Sequence, residues 1–141
     1  MSKKKLINIL FSGSILFIIY LTIFPESSLC IGVKPGNVNL VPFHTIGNLL
    51  FYHSFGDFII NNIGNIILFI PFGFLLSFKY KDINSLSKGI LVGMAFSMLI
   101  ETVQLFMENR WTDIDDVILN TLGTSIGYSL FKFLSKIYKI T

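Results

Sequence analysis

One stretch of this sequence, Glu101 to Gly127, carries most of the side chains that could do chemistry. It holds Glu101, Gln104, Glu108, Arg110, Asp113, Asp115, Asp116 and Asn120, and Arg110 is the only arginine in the chain. Asp113, Asp115 and Asp116 fall within four residues, a spacing that suits oxygen ligation of a hard divalent cation such as Mg²⁺ or Ca²⁺. Glu101 and Asp116 are the candidates for general acid/base work, because a carboxylate in a low-dielectric site can have the raised pKa such work needs. Each also has a plainer reading. An aspartate at the start of a helix caps it and favours its positive end, which one carboxylate can do without three. Arg110 could simply pair with a nearby carboxylate, Glu101 or Asp113. Glu101 is the hardest to dismiss, since it is expected about two turns inside a helix end.

Catalytic templates give no further help. There is no Gly-x-Ser-x-Gly, no His-Glu-x-x-His and no phosphate-cradling glycine loop. His44 and His53 are nine apart near Pro42 and Gly47, and they are not read as ligands. The lone Cys30 excludes an internal disulfide and a cysteine-based zinc cluster.

The elements that must position these residues follow from composition. The 141 residues suffice for one domain, and 52% are hydrophobic while only 13% are charged. A soluble domain carries about 25% charged residues, so an all-α integral membrane protein is expected. Leu6 to Phe24 has no charge and the length of a span. Its basic start resembles a signal peptide, but the apolar run is long and no Ala-x-Ala-like site follows, so a retained helix is expected. Spans are expected at about 6–24, 58–78, 89–107 and 114–138, making a four-helix bundle over a single domain, 1–141. Pro25, Pro35, Gly36 and Pro42 break the chain after the first span, and Pro71 predicts a kink in the second. Between the first two spans, Val38 to Phe55 is apolar and aromatic but interrupted by Asn39, Pro42, His44, Asn48 and His53. It reads as an interfacial or re-entrant segment, because a fifth span would spoil the charge asymmetry.

That asymmetry is pronounced. Lys3, Lys4, Lys5, Lys79, Lys81, Lys88, Lys132, Lys136 and Lys139 fall on one side of the four-span arrangement, and Lys34 and Arg110 on the other. The positive-inside rule then puts both termini in the cytoplasm, in a multi-pass protein of the plasma membrane. The net charge of +3 is better explained by this topology than by nucleic-acid binding, and no nucleic-acid partner is expected.

With that topology, Asn61, Asn62 and Asn65 enter at the outer end of span two. Glu101 and Gln104 lie at the outer end of span three, and Asp115, Asp116 and Asn120 in the first turns of span four. Helical spacing aligns Gly89, Gly93, Ser97, Glu101 and Gln104 on one face, and Asp116, Asn120, Gly123 and Gly127 on another. Small residues at i and i+4 let helices approach closely. The expected bundle is therefore tight at its inner end and opens outward into a polar pocket. Its binding residues would be Asn61, Asn65, Glu101, Gln104, Arg110, Asp113, Asp115, Asp116 and Asn120. Interhelical fastenings worth about 1 kcal/mol each are the rival account of the asparagines.

Four separated segments carry a resemblance. Asn39-Leu40-Val41-Pro42-Phe43, Asn61-Asn62-Ile63-Gly64-Asn65 through Gly73, Ile100-Glu101-Thr102-Val103-Gln104, and Arg110-x-x-Asp113-Ile114-Asp115-Asp116 through Gly123 resemble the VanZ-like family. The resemblance implies a small bacterial cell-envelope membrane protein whose namesake lowers susceptibility to the glycopeptide teicoplanin. Partners implied are the lipid bilayer and a lipid-linked wall precursor or glycopeptide. Glu101, Gln104, Arg110, Asp113, Asp115, Asp116, Asn120 and Asn65 transfer as motif positions, without a catalytic role. Three functions thus stand side by side: a headgroup-binding protein, an enzyme acting on a phosphate or acyl bond of an envelope lipid, and a structural or partner-assembly bundle.

Overall fold

The computed structural model describes residues 2–24, 38–107 and 110–138. Cys30, Lys34, Glu108, Lys139 and the breakers Pro25, Pro35 and Gly36 lie outside the described residues. Six α-helices and two short strands follow in order: α1 (Lys3–Ile23), β1 (Val38–Asn39), α2 (His44–Tyr52), α3 (Phe55–Phe58), α4 (Gly64–Lys79), α5 (Leu86–Gln104), β2 (Thr112–Asp113) and α6 (Ile114–Tyr138). A π-helical turn, Ile59–Ile63, joins α3 to α4, so the chain is helical without a break from Phe55 to Lys79.

Three helical stretches are long and apolar enough to cross a membrane by length and composition: Lys3–Ile23, Phe55–Lys79 and Leu86–Gln104. The fourth expected span, α6, has the length, with 25 residues, but is not among them. Asp115, Asp116, Lys132 and Lys136 lie within it. The reason is its place in the bundle. It packs along α4 over most of its length and against α5 as well, so it buries Asp115, Asn120, Thr124 and Tyr128 among protein neighbours. A helix enclosed on two sides does not need an apolar surface all round.

Glycine sets how close those helices come. Gly123 and Gly127 of α6 lie directly on the α4 backbone at Ile66 and Ile70, and Gly73 of α4 lies on Thr124 of α6. A Cβ at any of the three would run into a carbonyl oxygen. Gly89 and Gly93 of α5 make room for α6 side chains instead, the Tyr128 ring and Thr124. The two glycine pairs therefore do not face each other. α6 is wedged between α4 and α5, and each pair serves a different wall of the wedge.

Packed on the other side of α4, α1 closes an aromatic core of Phe11, Ile18, Phe69, Phe72, Leu76 and Ile100. The Phe72 ring lies 5.7 Å from that of Phe11 and 5.0 Å from that of Phe96. Such offset and tilted pairs add about 0.5–1.5 kcal/mol each beyond area burial.

Candidate functional site

Between α5 and α6 the chain makes a two-residue parallel pairing that periodicity did not predict. Val38 stands beside Thr112 and Asn39 beside Asp113, which ties the segment after α1 to the start of α6. Part of the polar cluster at this end of the bundle is built on that pairing.

Asp113 immediately precedes α6, and its Oδ1 accepts the backbone N–H of Asp115 at 2.9 Å, the bond of a helix cap. The same oxygen accepts Asn39 Nδ2 at 2.9 Å, and Asn39 Nδ2 also donates to Thr45 Oγ1 at 3.1 Å. Glu101 reaches across from α5, its Oε2 accepting the Asp113 N–H at 2.8 Å. Its own carbonyl accepts the Thr112 hydroxyl at 3.3 Å. Asp115, 1% exposed, turns the other way. Its two oxygens accept the backbone N–H groups of Phe43, Thr45 at 2.9 Å and Ile46 at 3.0 Å, the free donors at the start of α2. Phe43 sits at φ 64°, a left-handed conformation that is uncommon for a bulky residue. The Asp115 carboxylate is what holds it there.

Two further expected residues close the end of α1. Gln104 Nε2 donates to the Thr22 carbonyl at 2.9 Å, and Arg110 Nη2 to the Leu21 carbonyl at 3.0 Å. Both carbonyls belong to the last turn of α1, where intrahelical donors run out. Asn65 Nδ2 donates to Asp116 Oδ1 at 2.6 Å, joining α4 to α6. Asn120, one turn further along α6, donates to Ser97 Oγ at 2.9 Å on α5.

Eight of the nine expected binding residues thus enter a set of contacts that link separate segments. Seven of them cluster at the end of the bundle where α5 stops and α6 begins, and Asn120 lies one turn deeper. Asn61 does not join; its amide donates to the Asp57 carbonyl within its own helix. Asp116 acts electrostatically on Glu101, and Arg110 acts on both. Glu101 is buried, whereas Asp116, Asn65 and Arg110 are half-buried.

The three aspartates weighed as cation ligands do not converge on one point. Asp113, Asp115 and Asp116 are directed at an asparagine amide, a helix start and α4 respectively. Among the described residues no group of three His, Cys, Asp or Glu side chains gathers where it could hold a metal ion. Adjacent positions on a helix point in different directions, so nearness in sequence was a poor guide. Residue-type reasoning also passed over Asn39, Thr45, Thr112 and Ser97, whose side chains complete the network. Ser97 carried a signal through its place on the face of Gly89, Gly93, Glu101 and Gln104, and Asn39 through the Asn39–Phe43 segment of the family resemblance.

Comparison with known proteins decides the family. The VanZ/LLP1 family pattern matches residues 11–135. The chain belongs to the VanZ/LLP1 family. Among curated proteins it is similar to Protein VanZ of Enterococcus faecium, at 36% identity over 100 residues, covering 71% of this chain and 55% of that one. The chain therefore spans about half the length of the curated relative it matches. No solved structure matches. Within the matched residues lie all nine expected binding positions, from Asn61 to Asn120.

Proposed function

We propose that this VanZ/LLP1 family member is a cell-envelope membrane protein of four spans with both termini in the cytoplasm. Its acidic end faces outward and binds a lipid-linked or wall-related headgroup, lowering glycopeptide susceptibility, teicoplanin in particular. The observation that carries the reading is the gathering of Asn65, Asp116, Arg110 and Glu101, which bring both signs of charge to the end of the bundle where α5 stops and α6 begins. Charges held beside apolar spans are expensive and usually mark a site. Arg110 supplies the group for an anionic part of the ligand, and Glu101 with Asp116 for an amine. The concentration of lysines at the opposite end supports the orientation.

Glycopeptide susceptibility of a host expressing wild type, Glu101→Gln, Arg110→Ala and Asp116→Asn, with membrane abundance measured alongside, tests it. Protection by wild type and loss in the variants at equal abundance is the expected result. No protection by wild type, or headgroup binding unchanged in Glu101→Ala and Arg110→Ala, overturns it.

A structural reading has its own support, since Asp113, Asp115, Glu101 and Gln104 are engaged by backbone groups. If that is all the cluster does, Asp116→Asn lowers abundance in step with any phenotype.

A further inference from the structure

Helix α2 is short, apolar and almost wholly uncovered. Of its nine residues only Leu49 is buried. Phe51 is 76% exposed and Tyr52 82%, and Val41, Phe43 and Phe55 on its flanks are exposed as well. Phe106, just past α5 at the same end of the molecule, is 85% exposed. From Val38 to Gly56 there is no Lys, Arg, Asp or Glu.

Water does not suit this segment. An isolated helix shorter than about 12 residues is marginal in water, and a contiguous aromatic surface of this kind marks a membrane or a protein partner. Nor is α2 a loosely attached loop. Asp115 holds three of its leading N–H groups, and Asn39 bonds to Thr45. At 1.5 Å per residue it is about 14 Å long, half of what a bilayer core requires. Lipid is the occupant that fits. The exposed faces of α1 and α5 are of the same apolar kind (Leu16, Phe17, Leu91, Leu99), and α2 continues that surface at the end where those helices stop. Aromatic rings at helix ends are the usual furnishing of the membrane interface.

We propose that α2, with Phe43, Phe51, Tyr52 and Phe55, lies immersed in the lipid leaflet at the acidic end of the bundle, with Asp115 as the clasp that fixes its depth. The proposal rests on the reading above that α1, Phe55–Lys79 and α5 cross the bilayer. Asp116, next to the clasp, then meets lipid headgroups from the side.

Fluorescence quenching tests this. Trp111 is the only tryptophan, so Tyr52→Trp and, as a mid-span reference, Leu16→Trp are each made in a Trp111→Phe background. The proteins are reconstituted in phosphatidylcholine vesicles containing brominated chains. Bromines near the headgroup are expected to quench Tyr52→Trp most, and bromines near the chain ends Leu16→Trp most. The same pair with Trp111 retained gives the result by difference if Trp111→Phe does not fold. Quenching of Tyr52→Trp by aqueous iodide but not by brominated lipid overturns the proposal. So does protection from both, which means a protein partner or second copy covers α2. If Leu16→Trp also escapes the brominated chains, the spanning reading falls with it; if it alone is quenched, only the placement of α2 fails.

Discussion

The Asp115 carboxylate accepts the backbone N–H of Thr45 at 2.9 Å across 70 residues of sequence. This contact joins the start of α6 to the start of α2, and Phe43 and Ile46 donate to the same carboxylate. An acidic side chain that composition marks as a ligand is here the anchor for a helix start, where an anion is favoured by both the free N–H groups and the helix dipole.

Removing that carboxylate leaves three donors without a partner. Asp115→Ala is expected to destabilise the protein by roughly 3 kcal/mol, since charge-assisted bonds to backbone are among the stronger ones. Asp115→Asn, with one acceptor oxygen instead of two, should fall between. Thermal unfolding in detergent orders the three proteins, and equal midpoints would refute the clasp.

The glycines of α6 make a sharper case. Gly123→Ala and Gly127→Ala push a methyl into the Ile66 and Ile70 carbonyls of α4, and Gly73→Ala does so into Thr124. Over-packing of this kind costs about 1–3 kcal/mol. Gly13→Ala in α1 has nothing within 4 Å of the new Cβ and serves as the control. Yields of folded, monodisperse protein should drop for the first three and not for the last.

Gln104→Ala and Arg110→Ala each take a donor from the last turn of α1. Faster amide exchange at Tyr20 to Phe24 is the expected consequence, with the middle of α1 unchanged. Exchange that stays at the wild-type level in both variants would mean those two bonds do not hold the helix end.

Asn120 and Ser97 give a measurable pair between α5 and α6. A double-mutant cycle with Asn120→Ala and Ser97→Ala should return a coupling of about 1 kcal/mol, the size found for polar contacts between membrane helices. A coupling near zero would leave the Asn120 amide without an interhelical role.

Much of this was legible from residue order alone. The helices around Leu6–Phe24, Phe58–Phe78, Gly89–Met107 and Ile114–Tyr138 are observed to within a few residues at their ends, because long, mostly apolar runs with few breakers are read as helix from their length alone. α5 stops at Gln104, three residues early, as the chain turns to reach β2. The convergence of Glu101, Gln104, Asp115, Asp116 and Asn65 at one end was also readable, since helix direction and position along a helix decide depth.

By itself, then, the sequence determined the four long helical segments, which end is acidic and most of the charged residues that meet there, all of which depend on periodicity and on charge along one dimension. The tertiary structure alone decided what each meeting consists of. That Asp113 caps α6 while Asp115 clasps α2 depends on one lying just before the first helical residue and the other within the first turn, and on partners up to 74 residues away. That Gly123 and Gly127 face α4 and not the glycines of α5 depends on how α6 rotates between two neighbours. Direction around a helix axis, unlike position along it, is set by packing.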